Sequence, residues 1–240
     1  MRFRGVRNEV RNILSEEPTE AIHGRLLFSA SFVSDADIED KKVLDIGCGF
    51  GWFELYALGK KVCRVIGVEP SDNDLQTARR FLDDPRVSLM VGGATNLPVD
   101  DASIDTVVCW EVLEHIPKGS EPRMFTEAAR VLCDGGVFYL STPNRSFLST
   151  ILDPAWTLVG HRHYRVEEVR RLAVETGFKA VAFCRAGGWW EVLGWWNLYI
   201  SKWVLRRKPL FVNAIERRLD VEYGLNNKGF TNNFCKFVKE

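Results

Sequence analysis

The chain has 240 residues, a length that suits one domain or one domain with an elaboration. Its 32 basic and 32 acidic side chains give a formal net charge of zero, which argues against a general binder of nucleic acid or another polyanion. A hydrophobic content of 46% is too high for a disordered chain.

The segment 1–40 precedes any strand-like pattern and is predicted to be helical. Apolar residues recur at helical spacing between arginines, at Phe3, Val6, Val10, Ile13 and Leu14. This pattern predicts a weakly amphipathic basic helix on the domain surface. A transit peptide is the alternative, against which the acidic residue at position 9 argues. The N-terminal segment lacks the apolar core stretch of a secretory signal, so we expect a cytoplasmic protein.

From residue 41 onward, short apolar runs alternate with helical patterns. The runs typical of strands are 42–46, 64–69, 87–91, 104–110, 136–142, 178–185 and 231–238. The helical patterns are 51–58, 71–82, 122–131 and 166–176. Strands that alternate with helices predict an α/β fold, with a doubly wound, mainly parallel sheet of these seven strands and helices on both faces.

The most informative string runs from a buried strand into three glycines and then a helix: Val43-Leu44-Asp45-Ile46-Gly47-Cys48-Gly49-Phe50-Gly51. Glycines allow a tight turn and let a ligand approach the backbone closely. The spacing is G-x-G-x-G, and Trp52 stands where a dinucleotide fingerprint has its third glycine. An acid at a strand end, Glu69, follows about twenty residues later, where such folds bind ribose hydroxyls.

This string resembles motif I of the class I S-adenosylmethionine-dependent methyltransferases. Further segments resemble their later motifs in the same order: 65–71, 92–98, 104–108 with 112–116, and 132–136 with 141–144. Together they cover about residues 40–185. The strings Leu113-Glu114-His115 and Ser141-Thr142-Pro143-Asn144 are most similar to the ubiquinone-biosynthesis type O-methyltransferases. The resemblance implies a Rossmann-like methyltransferase sheet.

The resemblance also implies a cofactor, S-adenosylmethionine, with S-adenosylhomocysteine as product. The residues implied in its binding are Asp45, Gly47, Cys48, Gly49, Gly51, Glu69, Pro70, Ser71, Gly93, Ala94, Thr95, Trp110 and Glu111. In that assignment Asp45 orders the glycine loop near the methionine end, Glu69 binds the ribose and 93–95 border the adenine. One position departs from the family pattern, because Gly93 stands where an acid often takes the adenine amino group.

Three of the four histidines follow the fourth and fifth strands and are candidate catalytic or acceptor-contacting residues: His115, His161 and His163. A hydroxyl acceptor needs a base as the new bond forms, and imidazole is the side chain best suited to that at neutral pH. The alternative is that these histidines only pack at helix ends and turns. A metal site is not expected, since no acid is clearly spaced with them.

The six cysteines show no C-x-x-C spacing and no histidine at a metal-finger distance. They are scattered through apolar segments, where a free thiol behaves as a small core residue. We therefore expect reduced thiols, with disulfides as the less favoured alternative.

Five of the eight tryptophans lie within 189–203, inside an insertion at 187–229 that should be mostly helical. On a helix over 189–205, the less apolar residues form one narrow stripe: Glu191, Gly194, Asn197, Ser201 and Lys202. Three basic residues follow at 206–208, then Pro209 and a second helical pattern at 211–221.

Three interpretations of this insertion are open. The favoured one is packing over the acceptor pocket, and the second is contact with a partner or a membrane interface through 189–208. The third is a membrane span, which fits least because seventeen residues reach only about 26 Å and would bury two charges.

The sequence thus predicts four regions. They are a helical segment at 1–40, a methyltransferase core at 41–186, a helical Trp-rich insertion at 187–229 and a final strand at 230–240. The expected function is methyl transfer from S-adenosylmethionine, more often to oxygen than to nitrogen or carbon, on a small to medium, partly apolar acceptor such as a lipid-like molecule or a glycan. The alternatives are a non-catalytic cofactor-binding module and a nicotinamide dehydrogenase, which the glycine spacing disfavours. No nucleic acid partner is expected.

Overall fold

A computed structural model describes residues 21–158, 160–224 and 228–240, with Thr157 described by its backbone alone. The basic helix expected among residues 3–14 lies outside these residues. The described chain begins with a helix, α1, at Gly24–Phe32.

Within the described residues, seven strands form one mixed sheet in the order β3-β2-β1-β4-β5-β7-β6. Strand β7 is antiparallel to both of its neighbours, whereas the other neighbouring strands are parallel. The strands are β1 Lys42–Ile46, β2 Arg64–Glu69, β3 Val87–Val91, β4 Ile104–Trp110, β5 Leu132–Pro143, β6 Phe178–Ala186 and β7 Asn232–Lys239. The predicted α/β architecture is therefore confirmed.

Helices cover both faces of this sheet. Those after α1 are α2 Trp52–Gly59, α3 Asp72–Phe81, α4 Glu121–Val131, α5 Phe147–Leu152, α6 Pro154–Leu158, α7 Val166–Glu175, α8 Trp189–Ile200 and α9 Val212–Gly224. A π-helical turn at Ser201–Leu205 extends α8. The helix expected over 189–205 is thus α-helical only to Ile200.

The alternation of side chains along the central strands explains why both faces need covering. On β1, Leu44 belongs to a core cluster that includes Phe125 of α4 and Val169 of α7. Its neighbour Val43 belongs to the cluster on the other face, with Phe53 of α2. Fully buried parallel strands read as continuous apolar runs, which is the pattern that the sequence shows.

No helix within the described residues is long and apolar enough to cross a membrane. The two helices of the insertion, α8 and α9, pack on each other, and α9 also packs on α1. The insertion therefore lies against the N-terminal helix, on the side of the sheet covered by α1 and α2.

Candidate active site

The glycine loop between β1 and α2 is held tightly to the neighbouring strand. The backbone N–H of Gly47 donates to the carbonyl oxygen of Val68 at 2.7 Å, and that of Cys48 donates to the same oxygen at 3.2 Å. Gly47 has φ +79°, and a Cβ there would lie 2.3 Å from Val112. The first glycine is thus required by both backbone conformation and packing.

The other two glycines of the loop differ in what surrounds them. Gly51 caps α2 in the left-handed conformation, and a Cβ there would lie 2.4 Å from Leu82. Gly49 also has a positive φ, +55°, but no atom of the described residues lies within 4 Å of the position its Cβ would take. Gly51 therefore serves packing, whereas Gly49 borders open space that a ligand could fill.

Glu69, at the end of β2, faces this loop. Its Oε2 accepts from the Gly49 N–H at 3.2 Å, and its Oε1 accepts from the Ser71 N–H at 3.1 Å. The Ser71 hydroxyl accepts from the Asp74 N–H at 3.4 Å and caps α3, while Pro70 is exposed beside it. The acid expected to bind the ribose is thus fixed at the edge of the loop.

Two buried acids lie beneath the loop, of which only Asp45 is among the predicted site residues. Asp45 Oδ1 and both carboxyl oxygens of Glu54 have no hydrogen-bond partner among the described residues. Burial raises the pKa of Glu54 to about 8, and burial together with the charges of Glu54 and Glu69 raises the pKa of Asp45. Buried carboxyl oxygens without partners are costly, and a positively charged ligand nearby would offset that cost.

Glu54 could have been found in the sequence. It stands in an apolar helical pattern, three residues before Ala57, which is also buried. An acid on the buried face of a helix is unusual enough to mark a site.

The loop after β3 is the predicted adenine border. Gly93 and Asn96 pair across a turn, and the N–H of Leu97 donates to Glu127 at 2.8 Å. Arg130 donates to the carbonyl oxygen of Leu97 at 3.0 Å, so α4 holds the loop in place. Ala94 is buried and Thr95 half-buried. No atom of the described residues lies within 4 Å of a Cβ built on Gly93, and the same holds for Gly49.

The two predicted site residues Trp110 and Glu111 lie at the end of β4. The buried Trp110 ring lies against Phe53, and its Nε1 has no partner among the described residues. Glu111 has φ +56°, a conformation that is strained for a residue with a side chain. Its Oε1 accepts from the Ser141 hydroxyl at 2.6 Å.

Arg25 of α1 reaches the same place and was missed in the sequence. Its Nη1 donates to Glu111 Oε2 at 3.1 Å and lies 3.6 Å from Glu191 Oε1 of α8. Glu191 is buried and accepts from Thr231 at 2.6 Å and from the hydroxyl of Tyr223. No local pattern marks Arg25, because its partners are distant in sequence.

The structure brings the three predicted histidines into one group. The rings of His115 and His161 meet edge to face, with centroids 4.5 Å apart. Asp153 joins them: its Oδ2 lies 2.9 Å from His163 Nε2 and 3.8 Å from His161 Nδ1. The sequence analysis missed Asp153, which lies in the turn between α5 and α6.

Desolvation keeps two of these imidazoles neutral. It lowers the pKa of His115, and desolvation together with the neighbouring His115 lowers the pKa of His161 to about 4. His163 is buried, and its second nitrogen lies 3.4 Å from the hydroxyl of Thr150. At neutral pH His115 and His161 are therefore unprotonated, which a proton acceptor requires, whereas His163 and Asp153 are better suited to positioning.

A groove of about 1020 Å³ opens beside the histidines. Its walls include His161 and His163, the apolar side chains of Phe147, Ile151 and Trp156, and basic residues such as Lys118 and Arg165. Within the residues that the structure describes, no three His, Cys, Asp or Glu side chains are grouped to hold a metal ion. The groove therefore combines apolar walls with polar and charged ones.

Comparison with known proteins agrees with this geometry. Residues 43–136 match the family model described as a methyltransferase domain. A Mycobacterium tuberculosis protein named as a probable S-adenosylmethionine-dependent methyltransferase is 34% identical over 145 residues, which are 60% of this chain and 51% of that protein. The ubiquinone biosynthesis O-methyltransferase of Idiomarina loihiensis is 34% identical over 120 residues, 47% of this chain and 46% of that protein.

The part of the chain that matches, residues 43–136, is thus similar to the methyltransferase domain of S-adenosylmethionine-dependent methyltransferases. Among solved structures, geranyl diphosphate C-methyltransferase from Streptomyces coelicolor A3(2) has the same fold, with a TM-score of 0.61 and 18% identity over 88% of this chain and 76% of that one. The chain spans about half the length of the curated relatives it matches. The family match includes the residues of the glycine loop, the end of β2, the loop after β3 and the end of β4. Their individual cofactor contacts stay predictions.

Proposed function

We propose that this methyltransferase transfers a methyl group to an oxygen atom of a small to medium, partly apolar acceptor. One observation carries the choice of oxygen: His115 and His161, both neutral at pH 7, stand together at the carboxyl end of β4, beside a groove of about 1020 Å³. A phenol or alcohol must lose its proton as the new bond forms, and a neutral imidazole can accept it.

The residues around the glycine loop fit S-adenosylmethionine. The loop offers open space at Gly49, and buried carboxyl oxygens of Asp45 and Glu54 without hydrogen-bond partners among the described residues lie beneath it. We propose that Gly47, Cys48 and Gly51 shape the methionine end, while Glu69 binds the ribose. When bound, the cofactor supplies an electrophilic methyl group on a positively charged sulfur.

The remaining predicted contacts complete this proposed site. Pro70, Ser71, Gly93, Ala94 and Thr95 border the adenine, whereas Trp110 and Glu111 close the methionine side. The open space at Gly93 leaves room for an adenine contact from backbone in place of the acid that many relatives use.

The chain's contribution to the reaction is positioning, exclusion of water and removal of one proton. We propose that buried Trp110 and the carboxylate of Glu111, which Ser141 fixes, help to hold an acceptor in line. We propose that His115 takes the acceptor proton at its ring nitrogen, with the His161 ring packed against it. Asp153 holds His163 and steadies the group.

The groove favours a lipid-like acceptor over a glycan. Three exposed apolar side chains line it, Phe147, Ile151 and Trp156, and an apolar chain can cover them. The basic residues Lys118 and Arg165 at its rim suit a polar or anionic head group.

A labelled-methyl assay against separated lipid and water-soluble extract fractions tests this proposal. We expect label in the lipid fraction, in a product with the base stability of a methyl ether. The variant His115→Gln should lower the rate about 100-fold or more, as for loss of a general base. The matched control is His23→Gln, because His23 pairs with Asp220 away from the groove.

Other outcomes are distinguishable. Calorimetry should show binding of S-adenosylmethionine and S-adenosylhomocysteine but not of NAD. Cofactor binding without label in any fraction would show a binding module. Label on nitrogen or carbon, or full activity of His115→Gln, would contradict the assignment to oxygen.

A further inference from the structure

Helix α8 and its π-helical extension have the reverse of the usual polarity. The exposed side chains of α8 are Trp189, Trp190, Leu193, Trp196 and Ile200, and those of the extension are Trp203, Val204 and Leu205. All eight are large and apolar. The polar residues of the same segment point inward instead: Glu191 and Ser201 are buried, while Asn197 and Lys202 are half-buried.

The inward polar residues are used by the fold. Glu191 accepts from Tyr223 of α9 and from Thr231, which directly precedes β7. The Asn197 amide donates to the carbonyl oxygen of Leu210 at 2.7 Å. The contacts of Glu191 and Asn197 therefore fix the orientation of the helix, with its apolar face outward. By contrast, α7 exposes Glu167, Arg170 and Arg171, as a solvated helix does.

The apolar surface continues beyond this helix. The indole Nε1 of Trp196 donates to the carbonyl oxygen of Leu152 at 3.1 Å, which places the end of α5 beside α8. Helices α5 and α6 expose Phe147, Leu148, Ile151, Trp156 and Leu158. Phe147, Ile151 and Trp156 also line the groove beside the histidines, so the apolar surface and the groove are continuous.

A basic cluster closes one end of the apolar face. Arg206, Arg207 and Lys208 follow Leu205 directly and are all exposed. Within the described part of the chain, none of the three makes an ion pair. The chain as a whole has zero net charge, so this is a local concentration of positive charge.

We propose that this face, α8 with its extension and the cluster 206–208, docks on the surface of an anionic lipid membrane. Exposed indole rings are suited to the headgroup region, aliphatic side chains to the acyl boundary, and adjacent cations to anionic lipids. The helix lies in the interface and does not span the bilayer, in agreement with its length. Docking goes beyond the proposed methyl transfer, and either proposal can fail without the other.

Co-sedimentation with vesicles tests this docking on the full chain. The probes are vesicles of phosphatidylcholine alone and of equimolar phosphatidylcholine and phosphatidylglycerol, each at low and high salt. We expect the protein to sediment with the anionic vesicles, and salt to weaken the binding. Replacing Arg206, Arg207 and Lys208 together by Gln should weaken partition at least about tenfold.

A second variant tests the apolar face. Leu193→Ser, Ile200→Ser and Val204→Ser combined remove three exposed apolar side chains and should weaken partition at least about tenfold. The matched control replaces three exposed apolar residues elsewhere by Ser: Phe81, Val174 and Val181. The control for charge replaces three exposed basic residues by Gln: Arg80, Arg123 and Lys179. Calorimetric binding of S-adenosylmethionine shows that each variant is folded.

Three results would overturn the docking. One is absence of vesicle binding by a protein that binds its cofactor. Another is equal loss of binding in the control variants. The third is a wild-type protein that forms a dimer and does not bind vesicles, together with an apolar variant that is monomeric. The face would then join two copies of the chain. Failure of methyl transfer alone leaves vesicle binding intact and concerns the proposed function.

Discussion

At the scale of single residues, two of the open glycines with positive φ give a matched test of the proposed cofactor site. Gly49 (φ +55°) and Gly177 (φ +88°) both lack neighbours within 4 Å of a Cβ among the described residues, but only Gly49 belongs to the glycine loop. Alanine at either position should lower the free energy of unfolding by about 1–2 kcal/mol through backbone strain. Only Gly49→Ala should also weaken S-adenosylmethionine binding, by more than about tenfold.

Denaturation and calorimetry on both variants measure these effects. Equal cofactor affinity in the two variants would mean that the open space at Gly49 is not part of the cofactor site. A weakened affinity in Gly177→Ala would point to a general loss of structure.

Glu54 should make stability depend on pH. Its pKa rises from an ordinary 4.5 to about 8 because the carboxyl is buried. Between these values the folded state holds a proton that the unfolded state has released, so stability falls as pH rises and levels off above about 8. Between pH 5 and 8 the free energy of unfolding of the wild type, measured with urea, should fall by a few kcal/mol. Glu54→Gln should remove this decline.

The exposed Glu175 gives the matched control for that experiment. Glu175→Gln should leave the slope of stability against pH nearly unchanged. The same slope in wild type and Glu54→Gln would show that Glu54 is not buried as an acid.

The histidine group can be followed by NMR, since the chain has only four imidazoles. We expect the His161 ring to stay neutral down to about pH 4 and the His115 ring to titrate below the ordinary 6.5. Single His→Gln variants assign the signals. Removing the His115 ring should raise the pKa of His161, because a neighbouring imidazole that disfavours its charge is lost. A His161 pKa near 6.5 in the wild type would contradict the packed geometry.

At the scale of elements, Arg25 makes α1 part of the site architecture. Its side chain is 34% exposed, whereas that of its partner Glu191 is only 6% exposed. Replacing Arg25 by Ala removes the cation beside a buried carboxylate and should lower the free energy of unfolding by about 2–3 kcal/mol.

Chemical denaturation measures this loss, with Arg79→Ala as control. The Arg79–Asp72 pair is exposed on both sides, so that variant should lose at most about 1 kcal/mol. Equal losses in the two variants would show that α1 is held by its apolar contacts alone.

The sequence predicted the elements that have long, distinct patterns. All seven strands of the described sheet were predicted, and those of its parallel part appeared as apolar runs because a parallel sheet is covered on both faces. Helices α5 and α6 were not predicted, since six and five residues are too short for a helical period to show. The inverted polarity of α8 was also beyond the sequence, because a narrow polar stripe does not say which side faces the protein.

The same limit applies to the site. The glycine loop and Glu69 could be predicted because backbone geometry and a strand-end acid leave local signals. Arg25 and Asp153 could not, since their roles arise from contacts with groups brought near only by folding.

At the scale of the whole molecule, the six thiols should differ sharply in reactivity. All six are free; Cys63 is exposed, Cys133 and Cys184 are half-buried, and the other three are buried. Burial raises the pKa of Cys184 to about 11 and also raises that of Cys235, which lowers the thiolate fraction.

Mass spectrometry of the native protein with iodoacetamide should therefore show one fast adduct, and six after unfolding. The control Cys63→Ser should abolish the fast adduct. Fast modification of a second thiol would show that the core opens readily.

The place of β7 has a consequence for how the molecule is made. This strand pairs with both β5 and β6, yet it follows them both in the chain. During synthesis β6 therefore has no partner strand until β7 has left the ribosome, and its edge stays unpaired until then. The five strands from β3 to β5 can assemble earlier, so the glycine loop can form on a growing chain before β6 and β7 join the sheet.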